Sequence, residues 1–100
     1  MSAPITKISA KLYLLRADEG GRKFPIHTGY RPTVYFDQKQ TDGIVSFHHN
    51  EPLRLGKEYI VTLGLIHPEH LGEALKKNAN FDCREGSKIV ARGVVLNIVA

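Results

Sequence analysis

Apolar side chains recur at every second position along most of this chain, and turn-forming residues break the runs at short intervals. Ile8, Ala10, Leu12 and Leu14 alternate with Lys7, Ser9, Lys11 and Tyr13. A period of two puts one set on a buried face and the other in water, which is a half-buried strand. Val34 and Phe36 share a face opposite Thr33 and Tyr35, and Pro32 can open that strand because an early position can leave its N–H unpaired. Residues 17–28 read as a loop, with Gly20 and Gly21 supplying φ freedom and Pro25 stiffness. Thr41, Asp42 and Gly43 are a turn signal, followed by a short strand at 44–47. Residues 59–66 read as the central strand, apolar on both faces, so both faces are expected to be covered. Glu85, Gly86 and Ser87 turn the chain into a last strand, 88–99, in which Gly93 marks a bulge or a barrel corner.

One segment breaks the period. Pro68 suits a first helical position, and Leu71, Ala74 and Leu75 fall at i, i+3, i+4. One short helix near 69–77 is therefore expected, with Asn78 able to end it. About six short, evenly spaced strands argue for an all-β barrel or sandwich. Closure into a barrel would remove exposed edges. One hundred residues make a single domain, 1–100, with one core.

Composition narrows the function classes. No apolar run approaches the roughly 20 residues of a membrane helix, and MSAPITK at 1–7 lacks the apolar stretch of a secretory signal. Cys83 is the only cysteine, so no intrachain disulfide can form, which fits a reducing compartment. A cytoplasmic protein that does not enter membranes is the expectation. Alternation places Cys83 with Phe81 on the core face; a catalytic thiol is the sharper reading, but no oriented His and acid pair stands near it. The 14 Lys and Arg exceed the 10 Asp and Glu, and the resulting +4 permits a polyanion or an acidic protein as partner while requiring neither.

Four motifs in register carry a resemblance. DEGGR at 18–22, GYRPTVYF at 29–36, LIHP at 65–68, and REG at 84–86 followed by GVV at 93–95 resemble the C-terminal domain of bacterial elongation factor Tu, from about Thr6 to Ala100. The resemblance implies a small closed six-stranded antiparallel β-barrel, here as a stand-alone domain. It also implies a binding role in translation, packing on a GTPase domain and contacting the T stem of aminoacyl-tRNA. Carried residue by residue, the contact positions are Arg22, Lys23, Asp42, His67 and Gly86. Arg22 keeps the family residue, Lys23 replaces a His, and His67 stands where Lys or His is found. Gly86 matches a glycine that lets backbone approach nucleic acid. Asp42 departs from the family's Thr and would repel phosphate. Arg92 follows Ala91 where the family has Gly-Ala, so a bulky charge is expected in a tight strand.

The chain has neither a GxxxxGK[ST] phosphate loop nor an Asn-Lys-x-Asp guanine motif, so it holds no machinery for GTP hydrolysis. No nucleophile elbow or close carboxylate pair stands out either. The expectation is a non-catalytic binding module without cofactor, nucleotide or metal. Its partner is a translation-related protein or, alternatively, tRNA reached through a basic loop patch.

For that patch, Arg16, Arg22, Lys23 and Arg31, two readings stand: a phosphate-contacting surface on one end of the barrel, or a solvated loop paired with Asp18 and Glu19. Arg31 is also a candidate bridge from loop to barrel. His67 and His70 have a spacing that can bind metal, but a zinc site needs three or four converging ligands, and only Cys83 offers a soft partner. His48 and His49 would point to opposite faces of a strand. Tyr13 and Tyr35, on polar faces, are the expected exposed tyrosines. Ile60 and Ile66 are apolar outer positions that offer a seat for a second copy.

Overall fold

The computed structural model describes residues 5–48 and 50–99. Six strands carry the fold: β1 (Thr6–Leu14), β2 (Thr33–Phe36), β3 (Lys39–Ser46), β4 (Glu58–Leu65), β5 (Asn80–Glu85) and β6 (Lys88–Ile98). They close into an antiparallel barrel in the order β1-β4-β3-β2-β5-β6. Every strand therefore has two partners, and no long edge is left to template aggregation.

The alternation places the core as expected. Ile8, Ala10, Leu12 and Leu14 point inward from β1, and Val61, Leu63 and Leu65 from β4. Phe36 stacks on Phe81 with ring centroids 5.2 Å apart and planes at 29°. Phe81 in turn lies against Gly93, where an added Cβ would come within 2.3 Å of its ring. Gly93 is thus neither a bulge nor a corner; it is a recess for an aromatic ring. The irregular pairings of β6 fall instead opposite Ser9/Ala10 and Cys83/Arg84. Cys83 is fully buried, and burial first, then the Asp82 charge, pushes its thiol up to about 12. It belongs to the core, as an inert thiol.

Several local expectations give way to packing. The Asp42–Gly43 turn signal lies inside β3, and the β2–β3 turn falls at Asp37 and Gln38, where Asp37 takes φ 57°. Asp tolerates this left-handed region better than most residues. Gly43 makes room for packing rather than a turn: a Cβ there would meet Val34 at 2.6 Å and Leu63 at 3.0 Å.

The expected helix is absent. Two 3₁₀ turns, Pro68–His70 and Gly72–Ala74, occupy the segment. Gly72 at φ +52° and an extended Leu75 stop α-helix propagation, while fully buried Leu71 pins the segment to the core. The outer face of β4 is covered only in part, since Ile60 is 70% exposed whereas Gly64 is buried against Ile5. Arg92 points outward into solvent beside buried Ala91 and so does not crowd the strand. His48 follows β3 in a bend rather than lying on a strand, and His49 is outside the described residues. Among the described residues, no helix is long and apolar enough to cross a membrane.

Candidate functional site: a charged band across the barrel wall

Strand register draws the expected site residues toward one band. Thr33, the first residue of β2, pairs with Asp42 of β3 on one side and Arg84 of β5 on the other. Gly43 pairs with Leu65, and the Ile66 N–H donates to the Asp42 carbonyl at 3.0 Å. The row Arg84–Thr33–Asp42–Ile66 therefore runs across four strands, roughly 14 Å at about 4.8 Å per step. Gly86 lies two residues beyond Arg84, Arg31 two before Thr33, and His67 one after Ile66. Asp42 and Arg31 are exposed, as are His67 and Gly86.

Arg22 joins the band through a carboxylate. Its Nη1 donates to Glu85 Oε2, and the Tyr30 hydroxyl donates to the same oxygen. Its Nε donates to the Phe24 carbonyl at 3.1 Å, and its guanidinium carbon stands 4.8 Å from the Tyr30 ring centroid. The Arg22–Glu85 pair thus ties the loop at 22–24 to the end of β5, and Tyr30 braces both partners. Burial alone would raise the Glu85 pKa; the hydrogen bonds from Tyr30 and Arg22 outweigh it and hold the carboxyl below its usual range. Burial and the same carboxylate push the Tyr30 hydroxyl up.

This shift fixes a pH dependence. A carboxyl depressed by folding contributes stability above its unfolded pKa, and the contribution fades as pH falls through the folded value. In urea titrations the wild type should lose stability from about pH 5 to about pH 3 more steeply than Glu85→Gln. Parallel slopes for the two proteins would show that the carboxylate is not held by its neighbours.

The other charges divide into paired and unpaired. Arg16 Nε lies 3.0 Å from Asp18 and 3.7 Å from Glu19, so for Arg16 the solvated, paired loop is what forms. Glu19 also accepts from the Arg16 N–H at 2.9 Å and from the Tyr13 hydroxyl at 2.7 Å. Arg84 pairs with Asp82 at 2.7 Å and lies 4.0 Å over the Tyr35 ring. Tyr13 and Tyr35 are accordingly half-buried rather than exposed. Lys23 and Arg31 are exposed and make no ion pair with any described residue. Arg31 does not bridge loop to barrel; Arg22 does. Gly86 has φ +61° and open space around the position of a Cβ, so its backbone is accessible.

Fold, motif order and band now stand together, and the family model for the elongation factor Tu C-terminal domain matches residues 2–99. The chain belongs to the elongation factor Tu C-terminal domain family. That membership makes it a translation-factor-like module.

Two features of this elongation factor Tu C-terminal domain were not visible as site residues in the sequence. Glu85 neutralises Arg22 from 63 positions away, so only the motif REG, read as charge plus turn, could have flagged it. A shallow outer groove of ≈ 540 Å³ is lined by Lys11, Tyr35, Arg84 and Arg92 together with Asp37, Glu58 and Asp82. Its opposed charges arise from the β2–β3 turn and from four strands brought side by side, β4, β1, β6 and β5, which no local pattern announces.

Proposed function

We propose that this elongation factor Tu C-terminal domain is a non-catalytic docking module for a translation-related protein in the cytoplasm, and that Arg22, Lys23, Arg31, Asp42, His67 and Gly86 line its contact surface. The observation that carries this reading is the neutralisation of the band. Arg22 is taken by Glu85, Arg84 by Asp82, and Asp42 puts a negative charge two strands from Arg84. A surface of mixed, partly satisfied charges suits a protein rim better than a phosphate backbone, which rewards unpaired cations.

A second reading, tRNA binding, draws support from Lys23, Arg31 and the open backbone at Gly86. Capture by crosslinking with wild type and with the Lys23→Glu/Arg31→Glu double variant tests the first reading. It expects a translation component held by the wild type and lost by the variant. Equal capture by both proteins would remove the band from the account. Titration of tRNA across a salt series separates the second reading from the first.

A further inference from the structure

We propose that His67, Glu69 and His70 form a binding site for a single divalent transition-metal ion of the zinc type. Their ligand atoms all lie within 4.8 Å of one another. The two imidazoles stack with centroids 5.0 Å apart and planes at 23°, and His67 Nδ1 is 3.3 Å from Glu69 Oε1. A nitrogen from each ring and one carboxylate oxygen make a three-ligand set that zinc accepts, with water completing the shell.

The backbone builds this cluster. A 3₁₀ turn has three residues per turn, so residues three apart eclipse. His67 and His70 hold that relation, with the His70 N–H donating to the His67 carbonyl at 3.0 Å. Pro68 occupies the first position of the turn and fixes its φ. The His67 N–H donates to Oγ1 of buried Thr41 at 2.8 Å, and Leu71 anchors the other end in the core.

Binding requires only side-chain rotation. In a tetrahedron with bonds of about 2.0 Å, ligand atoms lie roughly 3.3 Å apart. His67 and Glu69 side chains are each 52% exposed and free to close from their present spacing. The third ligand that sequence spacing alone lacked is Glu69, two residues after His67.

Isothermal titration of the full chain with zinc chloride tests the assignment. One saturable equivalent is expected. His67→Ala and His70→Ala should each weaken it by at least about tenfold, and Glu69→Gln by about tenfold. His27→Ala/His48→Ala should bind like the wild type. Far-UV circular dichroism establishes that each variant keeps the barrel. Absence of saturable binding by the wild type would overturn the proposal. Wild-type affinity in both His67→Ala and His70→Ala would do so equally.

Discussion

Phe36→Ala is expected to lower stability by about 3–5 kcal/mol. Phe36 is 1% exposed and closes β2 with its ring inside the barrel. Truncation removes the stacking partner of Phe81, and Phe81 is already fixed against Gly93. The closed strand order leaves the wall little room to collapse into the cavity. Small domains have about 5–15 kcal/mol in total, so this one side chain accounts for a large share. The melting temperature should fall by at least about 12 °C, at roughly 4 °C or more per kcal/mol. Ile60→Ala is the matched control: its side chain is 70% exposed, and its effect should stay within about 0.5 kcal/mol. Comparable losses for the two variants would mean that the ring does not fill the barrel.

Gly21→Ala is the second large effect, expected at about 3 kcal/mol, the upper end of overpacking. A Cβ at this position would sit 2.2 Å from the Leu15 carbonyl oxygen and 2.7 Å from its carbon. The obstacle is backbone, and that backbone is held. The Leu15 N–H donates to the Val90 carbonyl at 3.0 Å, and the Gly21 N–H to the Arg16 carbonyl at 2.9 Å. Neighbouring Gly20 has the opposite character, with φ +88° and open space around its Cβ position. Gly20→Ala should therefore lose only the left-handed penalty, about 1–2 kcal/mol. Chemical denaturation of both variants gives the order. A larger loss at Gly20 would contradict the steric role assigned to Gly21.

The pair shows what the sequence could and could not yield. Two adjacent glycines read alike as φ freedom, yet only Gly20 uses it. Strand alternation was legible because burial on one face follows directly from the period of two, as in β1. The Glu85–Gly86–Ser87 turn was legible for a similar local reason. Gly43 misled because a glycine packed under Val34 looks like a turn glycine until its neighbours are known. The segment after His67 misled because Leu71, Ala74 and Leu75 have helical spacing, while Gly72 decides the backbone.

The site was legible only by half. Resemblance and charge pointed to Arg22, Lys23, Arg31, Asp42, His67 and Gly86; register sets Asp42 in the row, with Arg31, His67 and Gly86 one or two residues from its other members. Which cations remain free depends on contacts between distant segments. Arg22 meets Glu85 only because the loop at 22–24 folds onto the β5–β6 turn. Glu69 stands beside both histidines in a turn that, by its spacing, read as the start of a helix.

The docking account rests on a band in which two guanidinium groups, those of Arg22 and Arg84, are already satisfied by the domain's own carboxylates. Titration of the pure domain with tRNA between about 50 and 200 mM salt reads this directly, because each phosphate contact steepens the slope of log K against log salt by about one. The account predicts weak binding with a slope no steeper than about −2, for Lys23 and Arg31 alone. Tight binding with a slope of about −4 or steeper, relieved by Arg22→Ala, would contradict it.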